Sequence, residues 1–126
     1  MEHLVLSGFA DEIAPEFDKQ LEAVTQWGLT HIELRAADGP VPEPYAGQLA
    51  AAGVGVSSIG SPIGKIGIGD DFAPHLEKLK RTLEIQKELG APYLRMFSFY
   101  LPQGEDPALY REEVLERTGR MVEEAK

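Results

Sequence analysis

Trp27-Gly28-Leu29-Thr30-His31-Ile32-Glu33-Leu34-Arg35 is the stretch that decides the fold. A helical segment closes on a glycine and a strand-like run follows at once. Glycine supplies the left-handed backbone that a helix exit needs, and a helix feeding directly into a strand is the joint of a parallel sheet. The phrase recurs twice. Ala52-Gly53 leads into Gly55-Val56-Ser57-Ser58-Ile59, and Leu89-Gly90 leads into Tyr93-Leu94-Arg95-Met96-Phe97. With Leu4-Val5-Leu6 in front and a last helix behind, the chain holds four βα units. An eight-unit barrel takes about 250 residues, so these 126 residues are the length of half a barrel.

Working outward, the first strand is expected over Leu4 to Phe9. The helix after Pro15 carries Phe17, Leu21, Val24 and Gly28 on one face. Asp38-Gly39-Pro40-Val41-Pro42 reads as a loop, because its prolines and glycine forbid regular structure. A short helix holds Tyr45, Leu49 and Ala52. The Gly-rich run from Gly60 to Asp70 reads as a long, mobile loop. The third helix starts near an Asp71 cap and repeats Phe72, Leu76, Leu79 and Leu83. Asp106 as N-cap with Pro107 behind it starts the fourth, whose face is Tyr110, Val114, Thr118, Met121 and Ala125. No Gly or Pro stops it before Lys126.

Two parallel architectures suit four βα units. A doubly wound open sheet, as in receiver-like signalling domains, has helices on both faces and strands apolar throughout. Strands two and four are not: Ile32 and Leu34 oppose His31, Glu33 and Arg35, while Leu94 and Met96 oppose Tyr93, Arg95 and Phe97. The receiver reading also lacks an acid at the end of strand three, where Ser58-Ile59-Gly60 stand. One apolar face toward helices and one mixed face toward an interior is the pattern of a barrel. Its polar residues near strand C-termini belong to the site face.

Composition bounds the partners. Lys plus Arg number 12 and Asp plus Glu 21, a net charge of −9. Such a chain repels nucleic-acid phosphates. It has no Cys, hence no disulfide, thiol nucleophile or thiolate metal site. Met1-Glu2-His3 is not basic and the next apolar run is too short for a signal peptide or membrane span, so a cytoplasmic protein is expected.

The run from Leu6 to Glu124 resembles the first half of the xylose-isomerase-like barrels, the sugar phosphate isomerase/epimerase group. The resemblance is carried by Leu6-Ser7-Gly8-Phe9-Ala10-Asp11-Glu12, Gly28 to Arg35, Ser57-Ser58-Ile59-Gly60-Ser61-Pro62-Ile63-Gly64-Lys65, and Arg95-Met96-Phe97-Ser98-Phe99-Tyr100. It implies metal-assisted isomerisation or epimerisation of a sugar for a complete barrel. It also implies that the metal carboxylates and His come mostly from later strands, so no metal or cofactor is expected in this chain by itself and no turnover from it alone.

Glu33, Arg35 and Arg95 stand at inward positions near strand C-termini, suited to the hydroxyls or anionic group of a sugar-like substrate. An internal Glu33–Arg95 ion pair is the structural alternative. Lys65 adds a cation over the barrel mouth. Gly60 to Lys65 is not a P-loop, because the spacing is one residue short and Ile66 follows the lysine. Asp11-Glu12 favour a helix N-terminus, and His3, His31 and His75 lack metal spacing. The aromatics Tyr93, Phe97, Phe99 and Tyr100 suit core packing. The expectation is thus a single α/β domain over residues 1–126: a (βα)4 half of a TIM barrel, with substrate-binding Glu33, Arg35, Lys65 and Arg95. Dimerisation completes the ring in this reading, as bare strand edges invite pairing. The alternative is a non-catalytic half-barrel that only self-associates.

Overall fold

Each helix follows from a strip of apolar residues at helical spacing, and each strand from the β-rich run behind a glycine. The computed structural model describes residues 4–35 and 44–126. Its elements are α1 (Phe17–Gln26), β1 (His31–Arg35), α2 (Pro44–Ala52), β2 (Gly55–Gly60), α3 (Ala73–Leu89), β3 (Tyr93–Arg95) and α4 (Arg111–Glu124). Short 3-10 turns, Ala10–Glu12 and Pro107–Tyr110, precede α1 and α4. The strands form one parallel sheet in the order β1-β2-β3. The joint glycines 28, 53 and 90 all take left-handed φ, as a helix exit into a parallel strand requires. His3 and the expected loop at 38–42 lie outside the described residues.

The core lies on one face of the sheet. Ile32 and Leu34 of β1 and Val56 and Ile59 of β2 are buried against Phe17, Leu21 and Val24 of α1 and Leu49 of α2. Phe17 stacks on Tyr45 with ring centroids 4.0 Å apart. A second cluster gathers Ile63, Phe72, Leu76, Leu79 and Met121 under α3 and α4. Among the described residues no helix covers the opposite face, where Tyr93 is 71% exposed. Helices on one face only are the half-barrel arrangement, and the doubly wound reading fails. Asp71 Oδ1 accepts from the Ala73 N–H at 3.3 Å, and Asp106 caps the turn before α4, accepting from Ala108 N–H at 3.0 Å. The α-helix proper starts later than expected, at Arg111.

Two expected strands are shorter than their sequence suggests. Leu4 to Phe9 forms no ladder; it meets β1 through a Glu33 N–H to Gly8 carbonyl bond of 2.8 Å and a bridge from Phe9 to Glu33. A segment paired along one side, with Ser7-Gly8 in it, has little to hold it in register. The fourth strand stops at Arg95 because the chain beyond it pairs elsewhere. Phe97, Phe99 and Tyr100 N–H groups donate to the carbonyls of Ile63, Gly64 and Ile66 at 2.7, 3.0 and 2.8 Å.

Those bonds correct the expectation of a mobile loop after β2. Ser61, Ile63 and Ile68 are fully buried, and the Ser61 hydroxyl donates to the Arg95 carbonyl at 2.6 Å. Gly64 sits at φ 87°, where a Cβ would stand 1.8 Å from the Phe97 carbonyl oxygen. No side chain fits. Gly64→Ala is therefore expected to lower unfolding free energy by about 2 kcal/mol or more, from left-handed strain together with the backbone clash. Urea denaturation checks it; an unchanged midpoint would mean that the loop is not strapped in this way.

Candidate functional site

The ladder register sets Arg35 beside Gly60 and Gly60 beside Arg95, so two guanidinium side chains flank a glycine at the C-terminal end of the sheet. The missing side chain is filled from the first segment. Phe9 lies over the position, and a Cβ at residue 60 would stand 2.7 Å from its ring. Arg35 stacks over the Phe9 ring at 4.4 Å and Arg95 reaches the same ring at 5.4 Å. Arg95 also lies 4.8 Å from the centre of Phe97, which Lys65 meets at 4.7 Å. The result is an alternating pile: Arg35, Phe9, Arg95, Phe97, Lys65. A guanidinium stacked on a ring keeps its N–H edge free for oxygen acceptors. Each such contact contributes about 0.5–1 kcal/mol at exposed positions.

Arg35 is also held by Asp11 at 3.5 Å and Glu12 at 3.1 Å. The acids of the Ala10–Glu12 turn thus fix a rim arginine, a role not readable from their place before α1. Among the described residues Arg95 and Lys65 pair with no carboxylate. The alternative of a Glu33–Arg95 ion pair does not form. Glu33 sits one row deeper, opposite Ser58 and Tyr93, while Arg95 belongs to the row of Gly60 and folds over the two rings.

Glu33 instead lines a recess of about 600 Å³ on the open face, with Val5, Ser7, His31, Ser58 and Tyr93 among its walls. Small residues make the hollow, for β2 presents Gly55, Ser57 and Ser58 there. Ser7 and Ser57 hydroxyls share a hydrogen bond of 2.5 Å that holds the first segment to β2. His31 points into this recess as expected, its Nδ1 bonded to the Thr30 hydroxyl at 2.8 Å. The structure therefore joins Arg35, Lys65 and Arg95 in one rim cluster and sets Glu33 below it.

Two further residues support the rim. Phe99 takes φ 75°, rare for a side-chain-bearing residue, and its ring meets Phe72 edge-on at 5.9 Å. His75 is buried, and its Nε2 accepts the Gly64 N–H at 2.6 Å. Its pKa is lowered from the ordinary 6.5, first by burial and then by the charge of Lys78. Of the aromatics read as core, Phe97 joins the rim pile and Tyr100 is exposed. Among the described residues no three of His, Cys, Asp and Glu converge as a metal site would need. Among them, too, no helix is long and apolar enough to cross a membrane.

No protein-family model matches the sequence, and no curated protein matches it significantly. Solved structures do. The chain is similar to a xylose isomerase domain protein from Planctomyces limnophilus, with TM-score 0.62 and 14% identity over 83% of this chain and 44% of that one. It is similar to 3-keto-D-glucoside 4-epimerase from E. coli, with TM-score 0.54 and 22% identity over 86% of this chain and 46% of that one. A xylose isomerase-like TIM barrel protein from Mycobacterium smegmatis, in complex with magnesium, gives TM-score 0.61 and 21% identity over 96% and 51%. The chain spans about half the length of these structures. Its fold is that of half a TIM barrel, as these structures share it.

The His75 contact has a pH consequence. Nε2 accepts only while the ring is neutral, and the folded state holds the pKa below the unfolded value. The unfolded chain then binds more protons, so stability falls as pH drops. The contribution is full above about 6.5 and is lost as pH falls from there through the lowered folded value. Denaturation midpoints measured across that window are expected to slope for the native chain and to flatten for His75→Gln. Equal slopes would show that His75 does not hold the loop.

Proposed function

We propose that this chain supplies the first half of a barrel that isomerises or epimerises a sugar-like substrate, with Glu33, Arg35, Lys65 and Arg95 orienting that substrate at the mouth. The observation that carries the reading is the rim pile itself. It stands at the C-terminal ends of parallel strands, where barrels of this kind place their sites. Arg95 and Lys65 keep N–H donors free there, and the half-buried Glu33 carboxylate lies beneath them as an acceptor. Hydroxyl groups of a sugar need both kinds of partner, and Phe97 offers an apolar face beside them.

The M. smegmatis neighbour is in complex with magnesium. The residues described here do not fit such an ion, since no ligand set converges among them. In this reading any divalent metal takes its ligands from the other half of the ring, and this chain's residues bind and orient without ligating it. Orientation matters in its own right, because holding a substrate in reacting geometry is a large share of catalysis. A non-catalytic, self-associating half-barrel is the second reading; the apolar residues bare at both edges of the sheet favour it.

Titration of aldoses and ketoses into isotope-labelled protein tests the first reading. Amide shifts are expected to cluster at residues 33, 35, 65 and 95, and Arg95→Met is expected to weaken binding about tenfold, as loss of a charged hydrogen bond does. Shifts confined to the helices would reject the site. The chain alone is expected to give no isomerase turnover with magnesium or manganese. Metal-dependent turnover abolished by Glu33→Gln would place catalysis, and not only orientation, in this half.

A further inference from the structure

Among the described residues, three features at the two ends of the sheet have no partner, and they match one another. At the first edge, Val5 and Ser7 line the recess. The alternation of an extended segment therefore turns Leu4 and Leu6 to the outer side, where they are 85% and 60% exposed. An outer face belongs under a helix, and among the described residues nothing covers this one.

At the last edge, α4 carries an apolar side it does not use. Arg117 and Arg120 reach the Phe72 ring at the start of α3, each at 5.1 Å, and Glu124 meets Lys80 of α3 at 4.0 Å. Those residues define the side of α4 that faces α3. Leu115 and Val122, seven residues apart, stand on the other side, 52% and 45% exposed. That side points to the next place around the ring, where a following strand would lie. In a barrel each helix covers its own strand and the one after it.

The charges at the rim match as well. The first edge carries Asp11 and Glu12, which share one cation, Arg35. The last edge carries Arg95, with Lys65 beside it, and among the described residues neither has a carboxylate. An acid surplus at one end of the strand array faces a cation surplus at the other.

We propose that the occupant of both edges is a second copy of this chain, joined by a two-fold axis into an eight-unit ring. The operation sets β3 of each copy beside the first segment of the other. It lays Leu115 and Val122 over Leu4 and Leu6 of the second copy, and brings Asp11 and Glu12 of that copy to the rim of Arg95. It does so at two identical seams, so one self-complementary pairing satisfies every bare feature at once. The two recesses close on each other as a packed interior. The inference concerns edges and not a sugar; it accords with the second, self-associating reading of function, since a second copy adds no metal-ligand cluster to those described.

Sedimentation equilibrium at micromolar concentration is expected to give twice the chain mass. Leu6→Glu and Leu115→Lys are each expected to weaken association about 100-fold, since each sets an unpaired charge into both seams. Circular dichroism should be unchanged, because both positions are exposed within one chain. Mixing the two variants is the decisive arm. A one-to-one heterodimer keeps one native seam and joins the two substituted sides as opposite charges at the other, so the mixture is expected to regain double mass. As the chain has no Cys, the double variant Leu6→Cys with Leu115→Cys gives a readout that needs no charge change: a short thiol-reactive cross-linker should yield covalent dimer. A monomeric native chain, variants that remain dimeric, a mixture that stays monomeric, or a failure to cross-link would each overturn the ring.

Discussion

Phe9 lies across the end of β2 because residue 60 is glycine, and the rim depends on that one piece of packing. The ring needs the space a Cβ would take, 2.7 Å away. Once there, it gives Arg35 and Arg95 a common surface. Two guanidinium groups brought near each other repel, and stacking on a shared ring with a negative face offsets part of that. Asp11 and Glu12, two and three residues after Phe9 in the chain, offset more of it at Arg35. The first segment therefore holds its place by its side chains: Phe9 on β2 and the Ser7 to Ser57 bond. With so little ladder of its own, it would otherwise have no fixed register.

A second constraint fixes the other flank. The chain after β3 gives up strand pairing and bonds to the loop after β2, which Gly64 allows by approaching the Phe97 backbone more closely than any other residue could. This places Phe97 under Lys65 and beside Arg95. Its anchor is His75, which reaches the loop from α3 and accepts its Gly64 amide. A buried amide left without an acceptor costs about 1–3 kcal/mol. The neutral imidazole is thus part of the rim's support though it stands on a helix. The strained φ of Phe99 fits the same account: its amide goes to the loop and its ring to Phe72, so two contacts hold one unfavourable conformation.

The architecture was legible because its signals are local. Glycines 28, 53 and 90 carry the left-handed φ that their places between helix and strand imply. The apolar and mixed faces of β1 separate as alternation requires, with Ile32 and Leu34 buried and Arg35 exposed. The site was legible only as a set of candidates. Arg35, Lys65 and Arg95 come together as their positions near strand ends suggested, but what joins them did not show. The contact of Phe9 with Gly60 depends on how the first segment meets β2, and a register shift between Ile32 and Glu33 changes which residues share a row. That shift brings Arg35 into the row of Gly60 and Arg95 and leaves Glu33 beside Ser58, two residues below that row, so which side chains meet is set by a register no periodicity encodes. The loop misled in the same way. Glycine was read as freedom, whereas at position 64 it permits a close backbone contact.

The net charge of −9 and the rim describe different scales. Many of the acids among the described residues lie on helices, as do Glu77, Glu112 and Glu123, each paired to a neighbouring cation in water. Such charges are screened within about 8 Å at physiological ionic strength. At that range they do not set the potential at the mouth. There, among the described residues, the charges are Arg35, Arg95 and Lys65 against Asp11 and Glu12. The donors of that cluster stand at the opening, and the Glu33 carboxylate lies two residues further in along the strand. The order follows from the sheet itself: strand direction puts the C-terminal row at the opening, and the row below it holds the acid.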